Sequence, residues 1–328
     1  MQIPAEALAS LGQPFLTLPK VDISELTSDE FIRRYQQPGV PVILTGLLDP
    51  AWDWSLEYLC NQLGDRPFLL RRYGKERYQQ DKRTWTTIGS GVPPESRSFS
   101  DYAQLLRSHE AHEQDIYLAK CAIQDTPLTE TEAYQSIVQR LAQIGFTRPA
   151  SRVNLWVGPS GHLECLHYDP TDGTLIQLHG EKRVVLFPPS QTRNLYPYPV
   201  YVQLWHGMRL RAWFSQVYPD RPDFQAFPRL REAMRHRYDF VLKCGEALYI
   251  PAGWWHEVTA LRDAVADEMV CSINRFWCVP VARGWRSWAR WRAFLGSVCA
   301  LPVTGLSLIQ ASFSGDRQQQ IKEILQMF

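Results

Sequence analysis

The chain has 328 residues, of which 45% are apolar and 21% charged, with 35 basic against 34 acidic side chains. That length supplies one large domain or two ordinary ones with ample core, and a formal net charge of +1 gives no global pull toward nucleic acid or an anionic membrane. Fourteen Phe, twelve Trp and fourteen Tyr exclude a largely disordered chain, and seven cysteines without a C-x-x-C pair argue against a disulfide framework and a zinc ribbon.

The opening MQIPAEALAS has neither a basic nor a continuous apolar region, so no secretory signal is expected and the expected setting is the reducing cytoplasm. Ser28-Asp29-Glu30 can cap a helix through Phe31, Ile32 and Tyr35 that Pro38-Gly39 stops. Val40-Pro41-Val42-Ile43-Leu44 reads as a short strand closed by Gly46, and residues 56 to 63 as a helix ended by Gly64. Residues 82 to 100 read as a polar loop broken by Gly and Pro, and Ala133 to Ile144 as a helix with Gly145 as its stop. From Ser151 the texture changes to short strands, SRVNLWVG, TLIQLHG, KRVVLFPP, FVLKCGEALYIP and EMVCSINRFW, punctuated as in a sandwich or barrel. Seven arginines (Arg209, Arg211, Arg221, Arg229, Arg231, Arg235, Arg237) lie in the irregular stretch from 198 to 238, which reads first as a solvated insertion and second as a basic rim for an acidic substrate. Trp285, Trp288 and Trp291 recur every third residue, and 293 to 315 carries no charge. Pro302 and Gly305 interrupt that run, so a buried or subunit-interface helical pair is expected there, with a membrane-surface anchor as the alternative.

His167-Tyr168-Asp169 is followed, 89 residues after His167, by His256 in LYIPAGWWHEV. Residues two apart on a strand point to one face, so His167 and Asp169 converge while Tyr168 turns away. His256 must then arrive from a neighbouring strand, across the barrel interior. Two imidazoles and one carboxylate leave three positions of a metal open, which suits non-haem Fe(II) binding an organic co-substrate and oxygen together. The remaining histidines, His109, His112, His162, His179, His206 and His236, lack a carboxylate at strand spacing and read as surface or satisfied core. Lys182 opens the strand KRVVLFPP. Turned inward it requires an anion; turned outward it belongs to a solvated turn after Gly180. Trp254 and Trp255 beside His256 either exclude water from the site or belong to the core. No phosphate-binding GxxxxGK[ST], dinucleotide GxGxxG, GxSxG or HExxH pattern is present.

HYD at 167–169, QLHGEKRVVLFPP at 177–189, LYPYPV at 195–200, ALYIPAGWWH at 247–256, SINRFW at 272–277 and the opening PGVPVILTG at 38–46 together resemble the cupin-like Jumonji-C (JmjC) oxygenases, most of all the branch of the asparaginyl hydroxylase that inhibits hypoxia-inducible factor. The resemblance spans roughly residues 20 to 280. It implies a mainly β fold, a double-stranded β-helix (jelly roll) at 116–280, with an N-terminal α+β segment at 1–115 and C-terminal helices at 281–328. It also implies Fe(II) on His167, Asp169 and His256, and 2-oxoglutarate with its distal carboxylate on Lys182, beside Asn274 and the Tyr117 hydroxyl. The activity implied is hydroxylation, first of a protein side chain or of a small molecule, with release of succinate and carbon dioxide. A metal-binding cupin without 2-oxoglutarate, a non-catalytic module and an RNA-directed hydroxylase are the alternatives. Neither a nucleic-acid nor a membrane partner is the first expectation, and the apolar C-terminus resembles a dimerisation element that would make a homodimer. Two positions depart from the family pattern: Glu164 stands where the family often places Thr, and Gly173 where relatives often carry Asn.

Overall fold

A computed structural model describes residues 15–49, 52, 54–261 and 269–325. The chain builds two facing sheets. The strands in chain order are β1 (Lys20–Asp22), β2 (Val42–Thr45), β3 (Pro67–Arg72), β4 (Pro94–Ser98), β5 (Ile116–Ala122), β6 (Asn154–Gly158), β7 (Leu163–Tyr168), β8 (Asp172–His179), β9 (Glu181–Phe187), β10 (Tyr238–Leu242), β11 (Ala247–Ile250), β12 (Trp255–Leu261) and β13 (Val270–Trp277). The large sheet runs β1-β2-β11-β8-β13-β6-β5-β3-β4 and the small one β10-β9-β12-β7. Successive strands of the 154–277 stretch switch between the sheets, except that β9 and β10 pair side by side in the small one, which is the jelly-roll pattern. The N-terminal segment is woven into the same structure. β1 and β2 extend one edge of the large sheet, and β3 and β4 extend the other.

Alternation along the strands sorts side chains to the two faces of each sheet. Val184 and Leu186 of β9 meet Leu175, Leu248 and Ile250 in the cluster between the sheets, while Val185 and Phe187 turn outward into a second cluster. The largest cluster lies on the outer face of the large sheet, under the helices Leu56–Leu63, Phe99–Arg107 and Glu132–Gln143. The helix expected from Ser28 forms as Ser28–Phe31 and continues as a wider π-helical turn, Ile32–Gln36; its cap is Thr27, paired reciprocally with Glu30. Helices Leu56–Leu63 and Glu132–Gln143 match expectation, and Gly145, at φ +103°, closes the second with a backbone geometry that favours glycine.

Two expectations are corrected. The stretch 82 to 100 is not all loop, because Pro94–Ser98 forms the edge strand β4 on β3. An exposed edge strand needs no apolar alternation, so PESRS carries no strand signal. The C-terminal run is not interrupted at Pro302 or Gly305 and is not buried. It forms one helix, Trp288–Ser312, long and apolar enough to cross a membrane by length and composition, followed by a short helix, Arg317–Leu325. A stripe of Ala289, Ala293, Gly296 and Ala300 packs on the body, and a Cβ at Gly296 would stand 2.1 Å from the Gln203 side chain, so glycine permits that approach. Trp288, Phe294, Leu301, Leu306 and Ile309 are exposed. Arg283, at the base of this segment, hydrogen-bonds the buried Asp172, which also accepts from the Tyr249 hydroxyl and the Ala252 amide, each at 2.9 Å.

Candidate metal centre

β7 and β12 pair antiparallel in the register that sets His256 opposite His167. His256, Val258 and Ala260 line the barrel cavity, whereas Trp255 goes to the outer cluster. Asp169 follows the last residue of β7, and its carbonyl accepts from the Gly253 amide at 2.8 Å, where Gly253 (φ +86°) turns the chain into β12. One ligand atom from each of His167, Asp169 and His256 lies within 4.8 Å of the others. His256 Nε2 stands 3.4 Å from Asp169 Oδ2, and the two imidazole centroids are 4.2 Å apart. So the distal histidine comes from the adjacent strand of the same sheet, not across the barrel.

The imidazoles are oriented from behind. His167 Nδ1 donates to the Cys165 carbonyl at 2.8 Å and His256 Nδ1 to the Trp254 carbonyl at 3.1 Å, leaving Nε2 of each ring to the centre. Phe214 stacks on His167 at 4.7 Å. Burial, reinforced by His256, holds His167 down at about 3. Burial also resists protonation of His256, but the hydrogen bond and charge of Asp169 outweigh it and shift that group upward. Desolvation pushes Asp169 up, and the His256 contact reverses this to a net lowering. A neutral His167 and an ionised Asp169 are the protonation states a divalent cation requires. Two nitrogens and one carboxylate oxygen, gathered on one side of a cavity, fit Fe(II) with positions left open.

The cavity in front of the triad has a volume of about 370 Å³. Lys182 points into it: its Nζ donates to Ser272 Oγ at 2.5 Å and to the Tyr117 hydroxyl at 3.3 Å, and burial lowers its pKa to about 8. The inward alternative is therefore the one the fold adopts. Tyr117 lies flat over His162, with ring centroids 3.6 Å apart. A Cβ at Gly158 would stand 1.9 Å from the Tyr117 ring, so glycine there makes room for it. Asn274 also lines the cavity; its Oδ1 accepts from Asn154 Nδ2 at 3.2 Å and Trp156 Nε1 at 2.8 Å, leaving the amide NH₂ for a ligand. Glu164 and Gly173 both line the cavity. Glu164 makes no ion pair with Lys182 among the described residues; burial pushes its carboxyl up, against the charges of His162, Arg211 and His256. Trp254 and Trp255 pack into the core on either side of the small sheet and do not line the cavity.

Sequence reasoning passed over three further residues of the cavity. His162 does have a carboxylate, Asp115, whose Oδ1 lies 2.8 Å from its Nδ1; that partner comes from the turn before β5, so strand spacing does not reveal it. Lys120 sits in a bulge of β5 between Leu118 and Cys121 at φ +55°, and this re-aims its side chain into the cavity. Arg211 belongs to the stretch expected to be solvated, yet it and Arg237 are buried. Arg211 lines the cavity, bonded to the Ser90 hydroxyl and, at 3.4 Å, to the Met208 carbonyl.

Residues 27–282 match the family described as the cupin-like domain. The chain belongs to this family. The cupin-like domain thus covers the jelly roll, all three metal-ligand candidates and most of the N-terminal segment. Among curated proteins, the chain is 28% identical over 191 residues to lysine-specific demethylase JMJ31 of Arabidopsis thaliana, covering 58% of this chain and 32% of that protein. It is 30% identical over 260 residues to lysine-specific demethylase JMJ30 of the same plant, covering 77% and 53%. It is 25% identical over 300 residues to tRNA wybutosine-synthesizing protein 5 of Gallus gallus, covering 81% and 78%. The chain thus spans only about a third to a half of the two plant relatives.

Proposed function

We propose that this cupin-like protein is an Fe(II)- and 2-oxoglutarate-dependent oxygenase that hydroxylates its substrate. The observation that carries the reading is one cavity holding, at one side, the His167, Asp169 and His256 donors and, within it, the buried ammonium of Lys182. A buried cation needs an anionic counterpart, and a dicarboxylic keto acid bound in the same cavity would supply one. When bound, iron and 2-oxoglutarate supply the oxidising chemistry, with release of succinate and carbon dioxide. The chain's own residues do the rest. His167, Asp169 and His256 hold the metal with their ring orientation fixed by the Cys165 and Trp254 carbonyls. Lys182, with the Tyr117 and Ser272 hydroxyls, grips the distal carboxylate. Asn274 offers its amide beside it, and the Phe214 and Trp213 rings keep water from the metal side. A cytoplasmic setting belongs to the same proposal, supported by the lack of any disulfide among the described residues.

The test is anaerobic loading with Fe(II) and 2-oxoglutarate, followed by succinate measurement on admitting oxygen. Wild type is expected to form succinate, and the His167→Ala, Asp169→Ala double variant none above background. Equal succinate from the two proteins defeats the reading. A second reading, an RNA substrate, is supported by the likeness to the wybutosine-synthesizing protein and by exposed arginines such as Arg229 and Arg231. It requires RNA binding that weakens steeply with salt.

A further inference from the structure

We infer that a recess between helix Glu132–Gln143 and the outer face of the large sheet is a second binding site, for an aliphatic monocarboxylic acid whose carboxylate pairs with Arg275. The inference goes beyond the oxygenase reading and does not depend on it. The recess has a volume of about 310 Å³. Its floor is apolar and buried: Ile137 and Leu141 of the helix, Phe146 beyond it, Ile176 of β8 and Ile273 of β13. Its rim includes the exposed Ala142 and Thr147 and the partly buried Arg275. Strand alternation sets this space apart from the metal cavity. β13 turns Ser272 inward to Lys182 and sends Ile273, Arg275 and Trp277 to the recess, so the sheet itself stands between the two, with Thr174 and Asn274 bordering both.

Arg275 is held where an anion can reach it. Its Nε donates to the Ser151 carbonyl at 3.4 Å, and its guanidinium carbon lies 5.2 Å from the centre of the Trp277 ring. Trp277 is itself fixed, its Nε1 donating to Thr174 Oγ1 at 3.0 Å. The two Nη groups of Arg275 make no hydrogen bond and no ion pair among the described residues. A guanidinium placed on an aromatic face, with its fork open, matches the two oxygens of a carboxylate. Among the described residues lining the recess, Arg275 is the one that carries a charge, so a cationic or neutral head group gains nothing there. The floor selects the rest of the molecule. An apolar tail is stabilised by burial, whereas a dicarboxylate or a phosphorylated molecule would carry further charge onto apolar side chains. A peptide would bring backbone amides that this floor cannot pair. A concave, mostly apolar surface with one fixed polar group is the ordinary form of a small-molecule site.

The experiment titrates the full chain calorimetrically with octanoate, 1-octanol and octylammonium, and with hexanoate as the shorter acid. Octanoate is expected to bind about tenfold or more tighter than 1-octanol or octylammonium. It is also expected to bind tighter than hexanoate, by up to about fourfold per methylene. Arg275→Met should weaken octanoate by about tenfold while 1-octanol moves less than about twofold, and Arg275→Lys should keep octanoate the tighter of the two. Ala142→Trp, at the exposed rim, should weaken both by obstructing the recess. Lys182→Met should leave octanoate within about twofold of wild type, because its carboxylate is not the one that the metal cavity takes. The inference is overturned by 1-octanol or octylammonium binding as tightly as octanoate, or by the absence of saturable octanoate binding. It is equally overturned if octanoate ignores Arg275→Met or Ala142→Trp, or if Lys182→Met weakens it as much as Arg275→Met does. None of these readings uses turnover, so failure of the oxygenase reading leaves them intact.

Discussion

Replacing Lys182 by Met separates ligand recognition from folding, because the two respond differently. In the free protein the ammonium is 3% exposed and its Nζ bonds two neutral hydroxyls, those of Ser272 and Tyr117. Its removal takes away a buried charge together with two hydrogen bonds, and Met fills most of the volume, so stability should change by about 1 kcal/mol or less. With 2-oxoglutarate bound, the same substitution leaves a buried carboxylate without its cation, at a cost of about 3–5 kcal/mol. That corresponds to a loss of affinity of roughly a hundred- to several-thousand-fold. Thermal melts of the Mn(II)-loaded protein read both quantities. At a 2-oxoglutarate concentration of about 100 Kd, wild type gains about 2.7 kcal/mol, or roughly 5 °C in a chain of this size. Lys182→Met at that concentration should gain about 1 °C or less, from a ligand-free midpoint close to wild type. A full ligand-induced shift in the variant would refute the role given to Lys182, and a collapsed ligand-free midpoint would refute the claim that the role is separable from folding.

Titration of the same group sets a pH profile. Lys182 is cationic below about 8 in the free protein and neutral above it, so kcat/KM for 2-oxoglutarate should be flat below that value and fall toward tenfold per unit above it; a profile still flat at pH 9.5 contradicts this. Arg283→Ala strips the buried Asp172 of its cation while leaving its bonds from Tyr249 and Ala252, and urea unfolding should show a loss of about 3 kcal/mol; a loss under 1 kcal/mol would mean that the remaining two bonds suffice. Leu248→Ala, fully buried in β11 between the sheets, should cost about 2–5 kcal/mol in the same assay, and a smaller cost would show that the two sheets collapse over the vacancy.

The metal triad was legible because its logic is local. A strand's alternation joins His167 to Asp169, and only the arrival of His256 had to be inferred; the register of β7 against β12 supplies it. Lys182 was legible only as two alternatives, since the first residue of a strand gives no phase until its partner strands are known. Tyr117 and Asn274 came from the family resemblance, and both line the cavity. What escaped is what depends on remote neighbours or on backbone irregularity. Lys120 obeys no alternation because a bulge breaks it. Arg211 sits in a polar stretch whose burial arises from packing over the small sheet, and Asp115 is 47 residues from the histidine it holds. The C-terminal helix shows the reverse case: composition offered burial within the chain, a subunit interface or a membrane surface, and the fold removes only the first by leaving most of its large side chains at the surface.

The site is assembled from two halves that are not covalently close. The metal-ligand candidates stand on β7, β12 and the residue after β7, and Lys182 stands on β9 beside β12 in the same small sheet, whereas Tyr117, Ser272 and Asn274 stand on β5 and β13 of the opposite sheet. The gap between the sheets, filled by Leu175, Val184, Leu186, Leu248 and Ile250, therefore acts as a caliper for the hydroxyls that reach the Lys182 ammonium. Trimming one of these side chains lets the sheets settle toward one another, which leaves the three candidate ligands and the ammonium in place on one sheet and shifts the hydroxyls facing them. The donor triad is thus buffered against a change in the interior, while the polar surroundings of the ammonium are the first to move.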